Sequence, residues 1–105
     1  TYPVLTNDIV GFFEKRNLWR EAQELCELAL SMHIEDEEDS DIIKINRWLS
    51  IQQQGHTAGT IEEIRAWEPS NDSFKVAKAA LLREYSRCIT LLKDTLNGPR
   101  LVQER

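Results

Sequence analysis

The chain has 105 residues, 41% of them hydrophobic and 30% charged, with four Gly, three Pro and two Cys. That is one domain with a single modest core, and the low Gly and Pro content excludes a collagen-like or low-complexity chain. Two Cys, at 26 and 88, are too few for a disulfide scaffold, no apolar run approaches the ~18 residues of a membrane span, and no charged stretch followed by an apolar one marks a secretion signal.

The net charge is −5, from thirteen basic and eighteen acidic residues. A protein that bound nucleic acid by neutralising phosphates would be basic, so that class is not expected. Six of the eighteen acids (Glu35, Asp36, Glu37, Glu38, Asp39 and Asp41) fall within seven positions, which makes the acidity local. A start at Thr1, without Met, is what a segment of a longer chain would show.

In chain order, Asn7 or Asp8 caps a first helix whose apolar face is Ile9, Val10, Phe12 and Phe13. Arg16-Asn17 breaks the pattern, Asn being tolerant of tight turns. Leu18, Trp19, Ala22, Leu25, Cys26, Leu28, Ala29 and Met32 then follow at steps of three and four, a second helix forming an antiparallel hairpin with the first. Residues 33–41 read as an acidic loop, with Asp39, Ser40 and Asp41 offering a cap for the next helix. That helix spans 42–54, with Ile42, Ile45, Trp48, Leu49 and Ile51 on helical steps, and Gly55 ends it as a left-handed cap. After a break at 55–60, a short helix from Thr60 to Trp67 carries Ile61, Ile64 and Trp67, and Glu68-Pro69-Ser70 stops it. Asp72 or Ser73 caps a helix with Phe74, Ala77, Ala80 and Leu81 inward. A bend at Glu84 or Tyr85 leads to a last stripe of Tyr85, Cys88, Leu91, Leu92, Thr95 and Leu96, stopped by Asn97-Gly98-Pro99. No alternating β-branched run or hairpin signal is present, so the expected fold is all-α.

The second helices of the outer pairs superpose on one ruler: Trp19, Ala22, Cys26, Ala29 and Tyr85, Cys88, Leu92, Thr95. Thr57, Thr60, Ile64 and Trp67 fall on the same ruler, and the three registers start 38 and 28 residues apart. Their mean of 33 is close to the ~34-residue period of tetratricopeptide repeats. The run Asn17-Leu18-Trp19-Arg20-Glu21-Ala22-Gln23-Glu24-Leu25-Cys26-Glu27-Leu28-Ala29-Leu30 resembles the second helix of such a repeat, and Phe74 to Leu96 is similar, with Tyr85 in the aromatic role. The glycine that the family places before Tyr85 is absent, and Cys88 and Thr95 stand where it has small residues. The resemblance implies a short right-handed solenoid of five to six helices in one domain, with units at about 6–32, 41–67 and 73–97.

Catalysis by a nucleophile needs a Cys or Ser beside a His base. Cys26 and Cys88 lie on core stripes while His33 and His56 lie beside loops, so core thiols are expected and no enzyme. No short-spaced ligand pairs, EF-hand pattern or phosphate-binding glycine loop is present, and no metal or cofactor is expected. Trp48 and Trp67 are expected in the core.

The tetratricopeptide resemblance implies a groove lined by the first helix of each pair, taking a protein or peptide partner. The polar residues there include Asn7, Lys15, Asn46, Arg47, Lys75 and Lys78. Of these, Asn46, Arg47, Lys75 and Lys78 are the candidate contacts for an acidic partner, and Glu35, Asp36, Glu37, Glu38 and Asp39 those for a basic one. The middle and final helices are also similar to helical repeat segments of bacterial multidomain proteins. The expected function is a non-catalytic interaction or scaffolding module of a bacterial cytoplasmic protein, with self-association open and no nucleic acid or membrane partner. The alternatives are a small immunity-type inhibitor that presents the acidic segment to an enzyme, or an assembly appendage of a larger enzyme.

Overall fold

The computed structural model describes residues 2–96, with side chains from Asp8 to Asp94. Helix α1 begins at Tyr2, so Asn7 and Asp8 stand within it and neither caps it as expected. The Thr95 and Leu96 side chains and the Asn97-Gly98-Pro99 stop lie outside the described residues. Six α-helices follow in order: α1 (Tyr2–Lys15), α2 (Trp19–Leu30), α3 (Glu37–Gln53), α4 (Ile61–Ala66), α5 (Ser73–Leu81) and α6 (Tyr85–Leu96), with a 3₁₀ turn at Thr57–Thr60 before α4. No strand occurs among the described residues, and none of the helices searched is long and apolar enough to cross a membrane.

Three helices end in the same way. Asn17, Gly55 and Arg83 have φ of 59°, 91° and 63°, all left-handed. At each, the residue's own N–H and the next one reach back into the last helical turn. Asn17 N donates to Glu14 O and Leu18 N to Phe13 O, Gly55 N to Gln52 O and His56 N to Ile51 O, Arg83 N to Ala80 O and Glu84 N to Ala79 O. This pairing satisfies carbonyls that a helix end otherwise leaves open. The α1–α2 and α5–α6 connections are therefore the same three-residue turn, with Asn17 and Arg83 in equivalent places.

Helix α3 begins at Glu37, five residues before the expected start. The acidic run is thus mostly helix rather than loop. Asp36, not Asp39 to Asp41, is the cap, its carboxylate accepting from Asp39 N at 3.0 Å. Glu37, Glu38 and Asp39 fill the first turn, where negative charge meets the positive end of the helix dipole. Asp72 stands at the N-cap of α5 as expected, but its side chain makes no capping bond, and Asn71 Oδ1 instead accepts from Phe74 N at 3.1 Å. Thr60 does not cap α4 with its side chain: its hydroxyl donates to Thr57 O and closes the 3₁₀ turn.

Two apolar clusters form the interior. Val10, Ala22, Cys26, Ala29 and Ile43 join α1, α2 and the start of α3. The small residues on α2 let its neighbours approach closely. Trp48, Ile64, Trp67 and Leu81 join the middle of α3 to α4 and α5. The two indoles lie 5.1 Å apart at 56°, in the core as expected. Beside the second cluster Gln52 is buried, its amide donating to Thr60 Oγ1 at 3.0 Å and Leu81 O at 2.9 Å, so that one side chain ties three elements together.

Seven residues expected on apolar faces are instead exposed: Phe12, Leu18, Leu28, Met32, Ala80, Tyr85 and Leu92. Leu28 and Met32 sit on the edge of α2 away from the buried Ala22, Cys26 and Ala29. Helix α6 packs chiefly against α5, which covers the side carrying Cys88 and leaves the other open. Cys88 is only half-buried, with its thiol 3.7 Å from Val76 O.

Candidate functional site

Lys75 and Lys78 are three residues apart and so share a face of α5. That face forms one wall of a cleft of about 360 Å³ between the end of α4, α5 and the start of α6. Arg65 enters it from α4 and Arg87 from α6, giving four cations from three helices. Among the described residues Glu68 and Glu84 are the acidic ones lining it, and Pro69, Ala79 and Leu82 complete its wall. On a chain with a net charge of −5 this is a concentration of positive potential.

The cations are held differently. Lys78 Nζ donates to Trp67 O at 2.6 Å and to Arg65 O at 3.2 Å, a cation placed on the carbonyls that close α4. Lys75 faces Asp72 at 3.0 Å, and Arg65 faces Glu62 at 3.9 Å, both at the surface. Exposed pairs of this kind are worth at most ~1 kcal/mol, so a ligand carboxylate can compete for either cation.

The other expected contacts lie elsewhere. Arg47 does not reach the cleft. Its guanidinium bridges Glu27 of α2 at 2.9 Å and Glu63 of α4 at 3.7 Å, with its side chain 24% exposed, and so clamps α3 to both neighbours. Asn46, next to it, is half-buried and does not line the cleft. Glu35, Asp36, Glu37 and Glu38 are exposed and Asp39 is half-buried, at or just before the first turn of α3. Asp41, from the same run, has turned inward and is 4% exposed. It accepts from Trp67 Nε1 at 2.9 Å and from Ser70 N at 2.7 Å. Burial alone would raise its carboxyl, but these hydrogen bonds outweigh it and hold the carboxyl below its ordinary value.

Arg65 and Arg87 were not singled out by sequence reasoning, because they come to Lys75 and Lys78 only through the packing of α4 and α6 on α5. Their only signal is a basic residue near the end of one helix and another near the start of the next. Cys26 is buried, and its thiol is pushed up to about 12, first by burial and then by the nearby charge of Glu14, which makes it a poor nucleophile. Among the described residues no group of three or more His, Cys, Asp or Glu is arranged to hold a metal ion. No protein-family model matches the chain, and neither a curated protein nor a solved structure matches it.

Proposed function

We propose that this chain is a non-catalytic protein-interaction module whose α4–α5–α6 cleft receives an acidic segment of a partner protein. The convergence of Arg65, Lys75, Lys78 and Arg87 over an apolar floor carries this reading. Cations steer and orient an acidic peptide, while the half-buried Pro69 and Leu82 accept an apolar neighbour in it. The same reading takes the three hairpins as stacked tetratricopeptide-like units of a short right-handed solenoid. It is supported by the shared turn at Asn17 and Arg83, 66 residues or two ~33-residue periods apart. Two unbridged thiols suit a reducing compartment such as the cytoplasm, and a bacterial origin belongs to the same proposal.

The test is anisotropy of a short fluorescent Glu-rich peptide at low salt. The pair Lys75→Glu and Arg87→Glu, both exposed, is expected to weaken binding at least about tenfold, and added salt to weaken it in the wild type. Equal affinity of wild type and variant would overturn the cleft reading. A second reading has the exposed Glu35, Glu37 and Glu38 meeting a basic partner, as an inhibitor of an enzyme would. Their replacement by Gln leaves the Asp36 cap intact and is expected to abolish such binding without affecting the Glu-rich peptide.

A further inference from the structure

Between α4 and α5 the chain passes through Trp67, Glu68, Pro69 and Ser70 without helical structure. Trp67 leaves α4 with φ −78° and ψ 133°, and Glu68 precedes a proline, which disfavours a helical backbone there. Pro69 has no N–H to donate. Helical hydrogen bonds do not carry through this segment, and side chains of two other helices hold it instead. From α5, Lys78 Nζ donates to Trp67 O at 2.6 Å. From α3, Asp41 accepts from Trp67 Nε1 at 2.9 Å with one carboxylate oxygen and from Ser70 N at 2.7 Å with the other.

Glu68 and Pro69 form a partition. They line the basic cleft on one side and, on the other, a second hollow in whose wall Glu37, Asp41 and Lys44 stand. Of the two spaces Asp41 lines only the second, and it is 4% exposed, with both oxygens turned to the segment. It stands on α3 two residues before the fully buried Ile43, so the packed interior fixes the point from which it holds.

We infer that Asp41 is a positioning residue for the cleft: without touching what the cleft binds, it holds the Glu68–Pro69 wall in the place that an acidic segment requires. This role rests on the cleft being the site for that segment. A wall released from Asp41 occupies its binding position for only part of the time, and affinity falls by that fraction. Charge alone gives the opposite sign. Asp41 is an anion behind the wall of a cleft for anions, so neutralising it would strengthen binding if its field were all it contributed. The direction of the change therefore separates a held wall from a field effect.

Anisotropy of the fluorescent Glu-rich peptide with the full 105-residue chain tests this, at a temperature where far-UV circular dichroism shows each variant folded. An asparagine has one accepting oxygen where the carboxylate has two, so Asp41→Asn gives up one of the two bonds and is expected to weaken binding about fivefold. Should that variant not fold, Trp67→Phe removes the indole donor, leaves Asp41 charged and carries the same expectation. Two controls are expected to bind as the wild type does: Glu37→Gln, which neutralises an exposed acid of the same hollow, and Ile43→Ala, which destabilises the fold next to Asp41. Unchanged or tighter binding by Asp41→Asn, or an equal loss in Ile43→Ala, would overturn the inference and leave the cleft reading standing. Wild-type binding that is absent, or that is unaffected by Lys75→Glu with Arg87→Glu, would overturn both.

Discussion

Burial raises the carboxyl of Glu14 above its ordinary value, whereas hydrogen bonds lower that of Asp41, so the two respond to pH in opposite directions. For Asp41 the ionised form is the one stabilised by folding. Its contribution is present above the unfolded value near ~3.9 and is lost as pH falls through the lower folded value. Urea titrations from pH 7 to 3 are therefore expected to show acid destabilisation that is reduced in Asp41→Asn, with that variant about 2 kcal/mol less stable at neutral pH. For Glu14 the protonated form is favoured, so its own contribution is full below ~4.3 and is lost as pH rises through the folded value. Glu14→Gln is expected to be more stable than the wild type at pH 7 and no different at pH 3, by the same titrations. The thiols also differ. Cys88 is expected to react with a disulfide reagent in the native protein at pH 8, and Cys26 only on unfolding, as two phases in the absorbance trace.

At the scale of elements, turns and caps decide what the apolar pattern leaves open. Arg83 holds a left-handed conformation that costs a side-chain-bearing residue about 1 kcal/mol, in a place where Gly55 serves another helix without that cost. Arg83→Gly is expected to stabilise the fold by about 0.5 kcal/mol, despite losing its 3.4 Å contact with Gln52 Oε1, as a shift in urea midpoint. Helix α4 has six residues, too few to persist alone, and Lys78→Met should cost about 1 kcal/mol by freeing the carbonyls at its end. Most helices were legible because apolar residues recur at three and four and stop at Asn17, Gly55 and Pro69. The start of α3 was not, because Glu37 to Ser40 carry no apolar periodicity and are helical through the Asp36 cap and the helix dipole. Lys75 and Lys78 were legible as a pair because their spacing alone places them on one face. Arg47 was misplaced because its partners, Glu27 and Glu63, are far away in sequence and local spacing says nothing of them.

For the molecule as a whole, α3 is the common member of both apolar clusters, contributing Ile43 to one and Trp48 to the other. Ile43→Ala and Ile64→Ala, each in a fully buried position, are expected to cost about 3 kcal/mol and to shift one common unfolding transition seen by far-UV circular dichroism. Hydrogen exchange should protect the amides of α2 and α3 most and those of α6, supported chiefly by α5, least. The acidic first turn of α3 and the basic cleft differ in their dependence on assembly. The former was visible as a run of like residues, while the latter exists only once three helices meet.

The contact between Trp48 and Trp67 has a spectroscopic consequence. Two indoles so close and so tilted couple their electronic transitions, so the folded chain should carry an aromatic circular-dichroism band beyond the sum of its chromophores. The Trp67 indole also donates to Asp41, and that band therefore reports whether the start of α3 is latched to the end of α4. Trp19, on α2 in the other cluster's hairpin, emits from a separate and less enclosed setting. Light absorbed and emitted by three native tryptophans thus gives an unlabelled readout of the two ends of the molecule separately.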